Sequence, residues 1–303
     1  ANMHSVMNSI FAVPALKTKF KNQSDFFIYE ELSKSGANDV RDLVEAVALK
    51  QGMISLPDTS GTNIDVQIFD TAKIDWNKTS FPKADLGTEK PVIIVMDYAF
   101  GEQAYETIDE LLKPYKTENG KIFMNVESVS IMGKAGILQG GKGDIMIPTA
   151  HINEGTGDNY FFHNELTAEM LKGNDIAVFE GPMITVLGTS LQNKDLLKFF
   201  HESTWGAIGL EMEGAYYQKA IQSASKIRKS INPDVKVRYA YVYGEVYSDI
   251  PSMTIAYIRT PAGVYYGFSR KNPKDTDNRL IAKMQASKRL QDYYWNPVES
   301  EFT

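Results

Sequence analysis

From Lys90 onward, short apolar runs alternate with amphipathic segments, and this alternation constrains the fold more than any other feature of the chain. Val92–Met96 has the length and composition of a buried strand, and Ala104, Ile108, Leu111 and Leu112 then recur at helical spacing. Residues 126–132, 144–148, 176–186, 207–212 and 235–246 are further strand candidates, while 192–203, 213–225 and 276–293 read as helices. The pattern predicts an α/β domain on a largely parallel sheet with helices on both faces. Residues 1–89 read differently, with one helix-like stretch at 39–50 among polar segments, and 77–89 rich in Lys, Thr, Asp, Pro and Gly. The expected division is an N-terminal extension and linker over residues 1–89 and one domain over residues 90–303.

Composition narrows the partners. With 303 residues, 43% hydrophobic and 23% charged, the chain has apolar material for one large core or two unequal ones. No run approaches the roughly 18 apolar residues of a membrane helix, and residues 9–16 are too short and poorly flanked for a secretory signal, so a soluble, cytoplasmic protein is expected. A net charge of -6 supplies no overall positive field for nucleic acid or an anionic membrane. Cysteine is absent, and His4, His151, His163 and His201 show no H-x-x-x-H spacing, so neither metal nor cofactor is expected. Catalysis is left to carboxylates, hydroxyls, lysines or backbone dipoles.

In an open α/β sheet, ligands bind beyond the carboxyl ends of strands, which singles out four places. In Asp97-Tyr-Ala-Phe-Gly-Glu-Gln-Ala104, Gly101 lies between strand and helix, where a helix start could face an anion or the glycine could serve a plain turn. Residues 131–148 read as a strand, a glycine-rich loop and another strand; Gly133 and Lys134 open the loop, with Lys134 in a tight turn after the strand. The loop lacks the G-x-x-x-x-G-K-[ST] order, so no nucleoside triphosphate is implied. In Gly209-Leu-Glu-Met-Glu-Gly-Ala-Tyr-Tyr217, strand alternation would point Glu211 and Glu213 the same way, unless the strand breaks at Met212. A carboxylate there can accept two hydrogen bonds from a vicinal diol, or Glu213 can simply open a helix. In Tyr243-Gly-Glu-Val-Tyr-Ser-Asp-Ile-Pro251, Asp249 follows a strand and also suits a turn.

Taken in order, Gly133-Lys-Ala-Gly-Ile-Leu, Gly143-Asp-Ile-Met-Ile-Pro, Glu154-Gly-Thr-Gly-Asp-Asn-Tyr160, Glu211-Met-Glu-Gly and Ser248-Asp249 resemble the nucleoside phosphorylase and nucleosidase superfamily, most closely its AMP nucleosidase-like branch. The resemblance covers residues 92–251. It implies a mixed, twisted sheet partly closed into a barrel with helices on both sides, a homo-oligomer of two to six subunits, and cleavage of the N-glycosidic bond of a purine nucleoside or nucleotide. It makes Met212 the residue packed on the sugar, Glu213 the acceptor of the ribose 2′- and 3′-hydroxyls, and Asp249, after Ser248, the acid that protonates purine N7. Phe179 and Tyr160 become candidates to stack on or line the base, and either could equally be core.

The chain departs from that family in its basic residues. No arginine occurs from Asp42 to Ile227, Ile131 stands where phosphorylases carry a phosphate-binding arginine, and Asn153 replaces the arginine that commonly precedes Glu-Gly-Thr. A phosphate would have to be held by Arg41, by the C-terminal arginines or by a neighbouring subunit. Hydrolysis is therefore expected over phosphorolysis, with Glu102, Glu180 and Glu211 as candidates to activate water. The alternatives are a purine nucleoside phosphorylase and a non-catalytic nucleoside- or nucleotide-binding protein of the same fold.

Overall fold

A computed structural model describes residues 3–244 except 34–36, 83–85, 87, 89, 98, 141–143, 172–176 and 188–192, together with the backbone of 258–260 and 263–265. The chain divides into two units, one of residues 1–98 with 253–303 and one of residues 99–252.

The first unit opens with three helices, α1 (Met3–Leu16), α2 (Asp25–Ser33) and α3 (Asn38–Lys50), followed by strands β1 (Met53–Leu56), β2 (Val66–Asp70) and β3 (Val92–Met96). Val40, Val44 and Ala48 recur every fourth residue on α3 and are buried, which is the amphipathic stripe visible in the sequence. They share a core with Phe11 and Leu16 of α1, Ile28 and Leu32 of α2, and Met53, Phe69 and Val95 of the strands. The three strands form one antiparallel sheet in the order β1-β2-β3. β3, read from the sequence as the first strand of the second domain, is thus hydrogen-bonded to β2, with Ile68 opposite Ile94.

The second unit begins with α4 (Gln103–Leu111) and a small hairpin of β4 (Tyr115–Thr117) and β5 (Gly120–Ile122). The strands β6 (Ser128–Ile137), β7 (Ile145–Asn153), β8 (Asn159–Phe161), β9 (Val178–Thr185), β10 (Gly209–Glu211) and β11 (Lys236–Gly244) then form one sheet in the order β11-β6-β10-β9-β7-β8. β11 also pairs with β7, so β6, β10, β9, β7 and β11 close a ring and β8 hangs on its outside. The sheet is mixed: β6 and β11 run parallel, as do β10, β9 and β7, but β10 is antiparallel to β6 and β11 to β7. The largely parallel sheet predicted from alternation alone is corrected to this extent, and the mixed, partly closed sheet with flanking helices is what the chain forms. Closure explains why β7 is buried along nearly its whole length, since both of its faces meet protein. Pro148, which cannot donate to a ladder, sits where the β7–β9 register slips between Pro148 and Ala150.

Two helices complete the unit, α5 (Lys194–Glu202) and α6 (Gly214–Gln222), the latter continued by a π-turn over Ser223–Ile227. The Asn193 side chain caps α5, accepting from the amides of Asp195 and Leu196 at 3.1 Å each. Leu197 and Phe200 of α5 pack against Ile152, Ile184 and Leu210 of the barrel strands. The last pair of strands, β12 (Ile258–Thr260) and β13 (Gly263–Tyr265), form a hairpin grouped with the first unit. The helix expected at 276–293 lies outside the described residues. No helix among the described residues is long and apolar enough to cross a membrane.

Candidate active site at the Glu211–Gly214 turn

β10 ends at Glu211 and α6 starts at Gly214, so the strand breaks at Met212 and the two carboxylates take different directions. Glu211 is buried at 4% exposure. One of its oxygens accepts from the Thr185 hydroxyl and faces His151 Nδ1 at 3.3 Å; the other accepts from the amides of Glu213, at 2.6 Å, and Gly214. Thr185 in turn accepts the Ala215 amide at 2.8 Å. The amides at the start of α6 are thus already met by protein groups, so this helix start is not available to a phosphate. With the Thr185 hydroxyl, two backbone amides and the His151 ring against it, this carboxylate is occupied in anchoring the turn, and the sequence-based assignment of Glu211 to catalysis does not fit that saturation.

Glu213 occupies the N-cap position of α6 and makes no capping bond of its own. It is half-buried, and its Oε1 accepts from the Gly101 amide at 3.3 Å. Gly101 has φ +52, a conformation that suits glycine at the turn ahead of α4. The group that meets the Gly101 amide ahead of α4 is thus the Glu213 carboxyl. Glu102 follows at the N-cap of α4, exposed and with no capping bond from its side chain.

Other predicted residues are brought near this turn or kept from it. Tyr160, on β8 opposite His151, is half-buried near Tyr216 of α6 and Tyr105 of α4; burial and the Asp158 carboxylate raise its hydroxyl above the usual 10.0. Met212 packs half-buried against the cluster containing Leu197, Phe200 and Leu210, so part of its surface serves the core. Gly133 and Lys134 are not in a turn: both lie within β6, opposite Tyr241 and Val242, and the side chain of Lys134 lies outside the described residues. The strand continues because closure of the ring supplies β6 with partners on both sides, β11 and β10.

Phe179 and Glu180 are remote. Thr185 is the β9 residue level with Glu211, and Phe179 precedes it by six positions, about 20 Å along a strand. Phe179 packs beneath Gly140, whose φ is +113 and where an added Cβ would run into the ring. Glu180 accepts the Ala168 amide. Asn153, in place of the expected arginine, is buried and shapes the following turn by accepting the Gly155 amide at 3.0 Å. Arg41 bonds the Leu32 carbonyl and Asn38, and Arg228 bonds Asp109 at 2.7 Å, which ties both to helices. Ser248 and Asp249 lie outside the described residues. No group of three or more His, Asp or Glu side chains that could hold a metal ion occurs among the described residues.

His151 and Thr185 escaped the sequence reading. Their only local signal is a polar residue inside an apolar strand run, Ile147-Pro-Thr-Ala-His-Ile152 and Met183-Ile-Thr-Val186. The parallel register of β7, β9 and β10 brings them to Glu211.

The chain matches the family described as "Family of unknown function (DUF6909)" over residues 15–268 and belongs to it. No curated protein matches. Among solved structures it is similar to a 5′-methylthioadenosine/S-adenosylhomocysteine nucleosidase from Colwellia psychrerythraea 34H in complex with adenine, at 12% identity and TM-score 0.44 over 66% of this chain and 77% of that one. The S-adenosylhomocysteine nucleosidase of Streptococcus pyogenes gives 12% identity and TM-score 0.45 over 67% and 79%. The AMP nucleosidase of Bacteroides thetaiotaomicron gives 14% and 0.40 over 82% and 84%.

Proposed function

We propose that the chain is an N-glycosyl hydrolase that cleaves the N-glycosidic bond of a purine ribonucleoside or ribonucleotide. The observation that carries this reading is the division of labour at the Glu211–Gly214 turn. Glu211 is consumed in anchoring the backbone, which leaves Glu213 half-buried beside the Gly101–Glu102 turn, as a diol acceptor requires.

In this reading Glu213 accepts hydrogen bonds from the ribose 2′- and 3′-hydroxyls, and its negative charge grows in value as the sugar becomes oxocarbenium-like. Asp249 protonates the purine at N7, so the base leaves neutral. Water adds to the anomeric carbon from the face opposite the base and gives its proton to a carboxylate. Of the candidate bases, Glu211 is saturated and Glu180 lies far along β9, whereas Glu102 directly follows the glycine that touches Glu213. Glu102 is therefore the base in this proposal, and the protein holds the small-molecule substrate without a cofactor.

The test is incubation with adenosine, 5′-methylthioadenosine, S-adenosylhomocysteine and AMP, with and without phosphate, reading free base by chromatography. Base release from at least one supports the proposal, and Glu213→Gln should then lower kcat/KM by about 2 to 4 kcal/mol of transition-state stabilisation. Tight binding without cleavage would instead favour a non-catalytic binder, and unchanged turnover in Glu213→Gln would reject its role.

A further inference from the structure

We propose that His151 is a positioning residue for Glu213, acting through Glu211 and through contact with Gly214; the inference rests on the reading of Glu213 as the diol acceptor. His151 is fully buried on β7. Its ring packs in a triad with Phe162, stacked at 5.4 Å, and Tyr239, edge-on at 4.7 Å, which also meet each other at 4.8 Å. In this proposal Nδ1 donates to Glu211 Oε1 across their 3.3 Å contact. Nε2 then has no hydrogen-bond partner among the described residues. A histidine serving only as core filler would be replaceable by an apolar residue that leaves no polar atom stranded in the interior. With Nε2 unsatisfied, the only polar contact this imidazole makes among the described residues is the one from Nδ1 to Glu211.

That value is transmitted over a short path. Glu211 receives His151 on one oxygen and the Glu213 amide, at 2.6 Å, on the other. The ring also abuts Gly214 so closely that a Cβ there would collide with it, while standing 2.7 Å from Glu211 Oε1. His151 therefore fixes the turn twice, by a hydrogen bond to the carboxylate that holds its amides and by steric contact with the residue after Glu213. Rotation of this turn moves the Glu213 side chain off its bearing, and displacements near 1 Å at a binding group have large kinetic effects.

The ratio of kcat/KM for a ribosyl substrate to that for its 2′-deoxy counterpart reads the Glu213 contact directly, because only the ribosyl substrate offers the 2′-hydroxyl. Adenosine against 2′-deoxyadenosine, and AMP against dAMP, are compared in the wild type, His151→Asn and His151→Leu. Asn can place a donor where Nδ1 stands, whereas Leu fills the space without one. The expected result is a ratio reduced about tenfold or more in His151→Leu and largely kept in His151→Asn, the size of one lost hydrogen bond. A folded His151→Leu with an unchanged ratio overturns the proposal. Where His151→Leu does not fold, Gly214→Ala crowds the same ring with the histidine in place; a collapsed ratio there supports the proposal and an unchanged one overturns it.

Hydrogen exchange at the Glu213 and Gly214 amides separates this inference from the reading it rests on. If the wild type cleaves none of these substrates, the nucleosidase reading fails, yet faster exchange at these amides in His151→Leu still supports the positioning network. Unchanged exchange overturns it in either case.

Discussion

The Asn164 side chain pairs with the backbone of Tyr239 as a neighbouring strand would, donating from Nδ2 to its carbonyl at 2.9 Å and accepting its amide on Oδ1 at 3.1 Å. The same Nδ2 reaches the Pro148 carbonyl at 3.0 Å, so one buried side chain joins β7 to β11 where their ladder has ended. Asn164 thus satisfies backbone groups that Pro148 and the register slip leave over, and it helps close the ring behind the candidate site.

Removing it should be costly. Asn164→Ala takes a partner from two carbonyls and from the amides of Tyr239 and Leu166, and a loss of about 2 to 4 kcal/mol in unfolding free energy is expected. Asn164→Asp keeps the acceptor but loses both donors, and should also destabilise. Urea unfolding followed by circular dichroism checks both; a change within about 0.5 kcal/mol for Asn164→Ala would show that the ring closes without it.

A second expectation concerns alkaline pH. Tyr239 is fully buried, and burial, followed by the nearby Glu211 charge, raises its hydroxyl well above the usual 10.0. The folded state keeps this proton at a pH where the unfolded chain has lost it, so the folded state binds more protons and stability falls as pH rises beyond 10.0. Below that pH the contribution is fully present. Tyr239→Phe should flatten the alkaline fall, while lowering stability at neutral pH because Gln218 loses its 3.0 Å hydrogen bond. Thermal melts of both proteins across pH 9 to about 11 make the comparison, and parallel alkaline slopes would contradict it.

How far these features could be read from the chain depends on the range of the interactions behind them. The barrel strands announced themselves as apolar runs bounded by turn residues, α5 by its local Asn193 cap and apolar stripe, and α6 by its stripe alone. α1 was missed because Met7, Ile10, Phe11, Ala12 and Leu16 are buried on too broad an arc to leave a polar face. Gly133 and Gly136 read as a turn, since glycine punctuates structure locally, but β11 and β10 hold them in a strand. The Glu211-Met-Glu-Gly motif singled out Glu213 as a candidate. Its anchors were not legible, because Thr185 and His151 reach Glu211 only through strand register, which connects residues 26 and 60 positions apart.

The assignment of Glu102 predicts a specific kinetic split. Glu102→Gln preserves size but cannot take a proton from water, so kcat on the best substrate should fall roughly a hundredfold or more. KM should change little, since Glu102 contributes to the attacking water rather than to the sugar. Steady-state rates with melting curves on the same preparation decide the matter; an equal loss in kcat and gain in KM would place Glu102 in binding.

The last expectation is that base release does not depend on phosphate. An attacking phosphate needs several oriented donors, and bidentate arginines are the usual means of aligning a tetrahedral anion. Arg41 is bound to α2 and α3 and Arg228 to α4, and the amides at the start of α6 belong to Glu211 and Thr185. The Gly101 amide faces a carboxylate, which would repel phosphate rather than bind it. Hydrolysis needs none of these donors, only a water and a base. Product analysis should therefore give free ribose, or ribose 5-phosphate from a nucleotide, at a rate indifferent to added phosphate. Phosphate-dependent formation of ribose 1-phosphate would reverse the assignment and make an arginine from elsewhere, including a second copy of the chain, the residue to find.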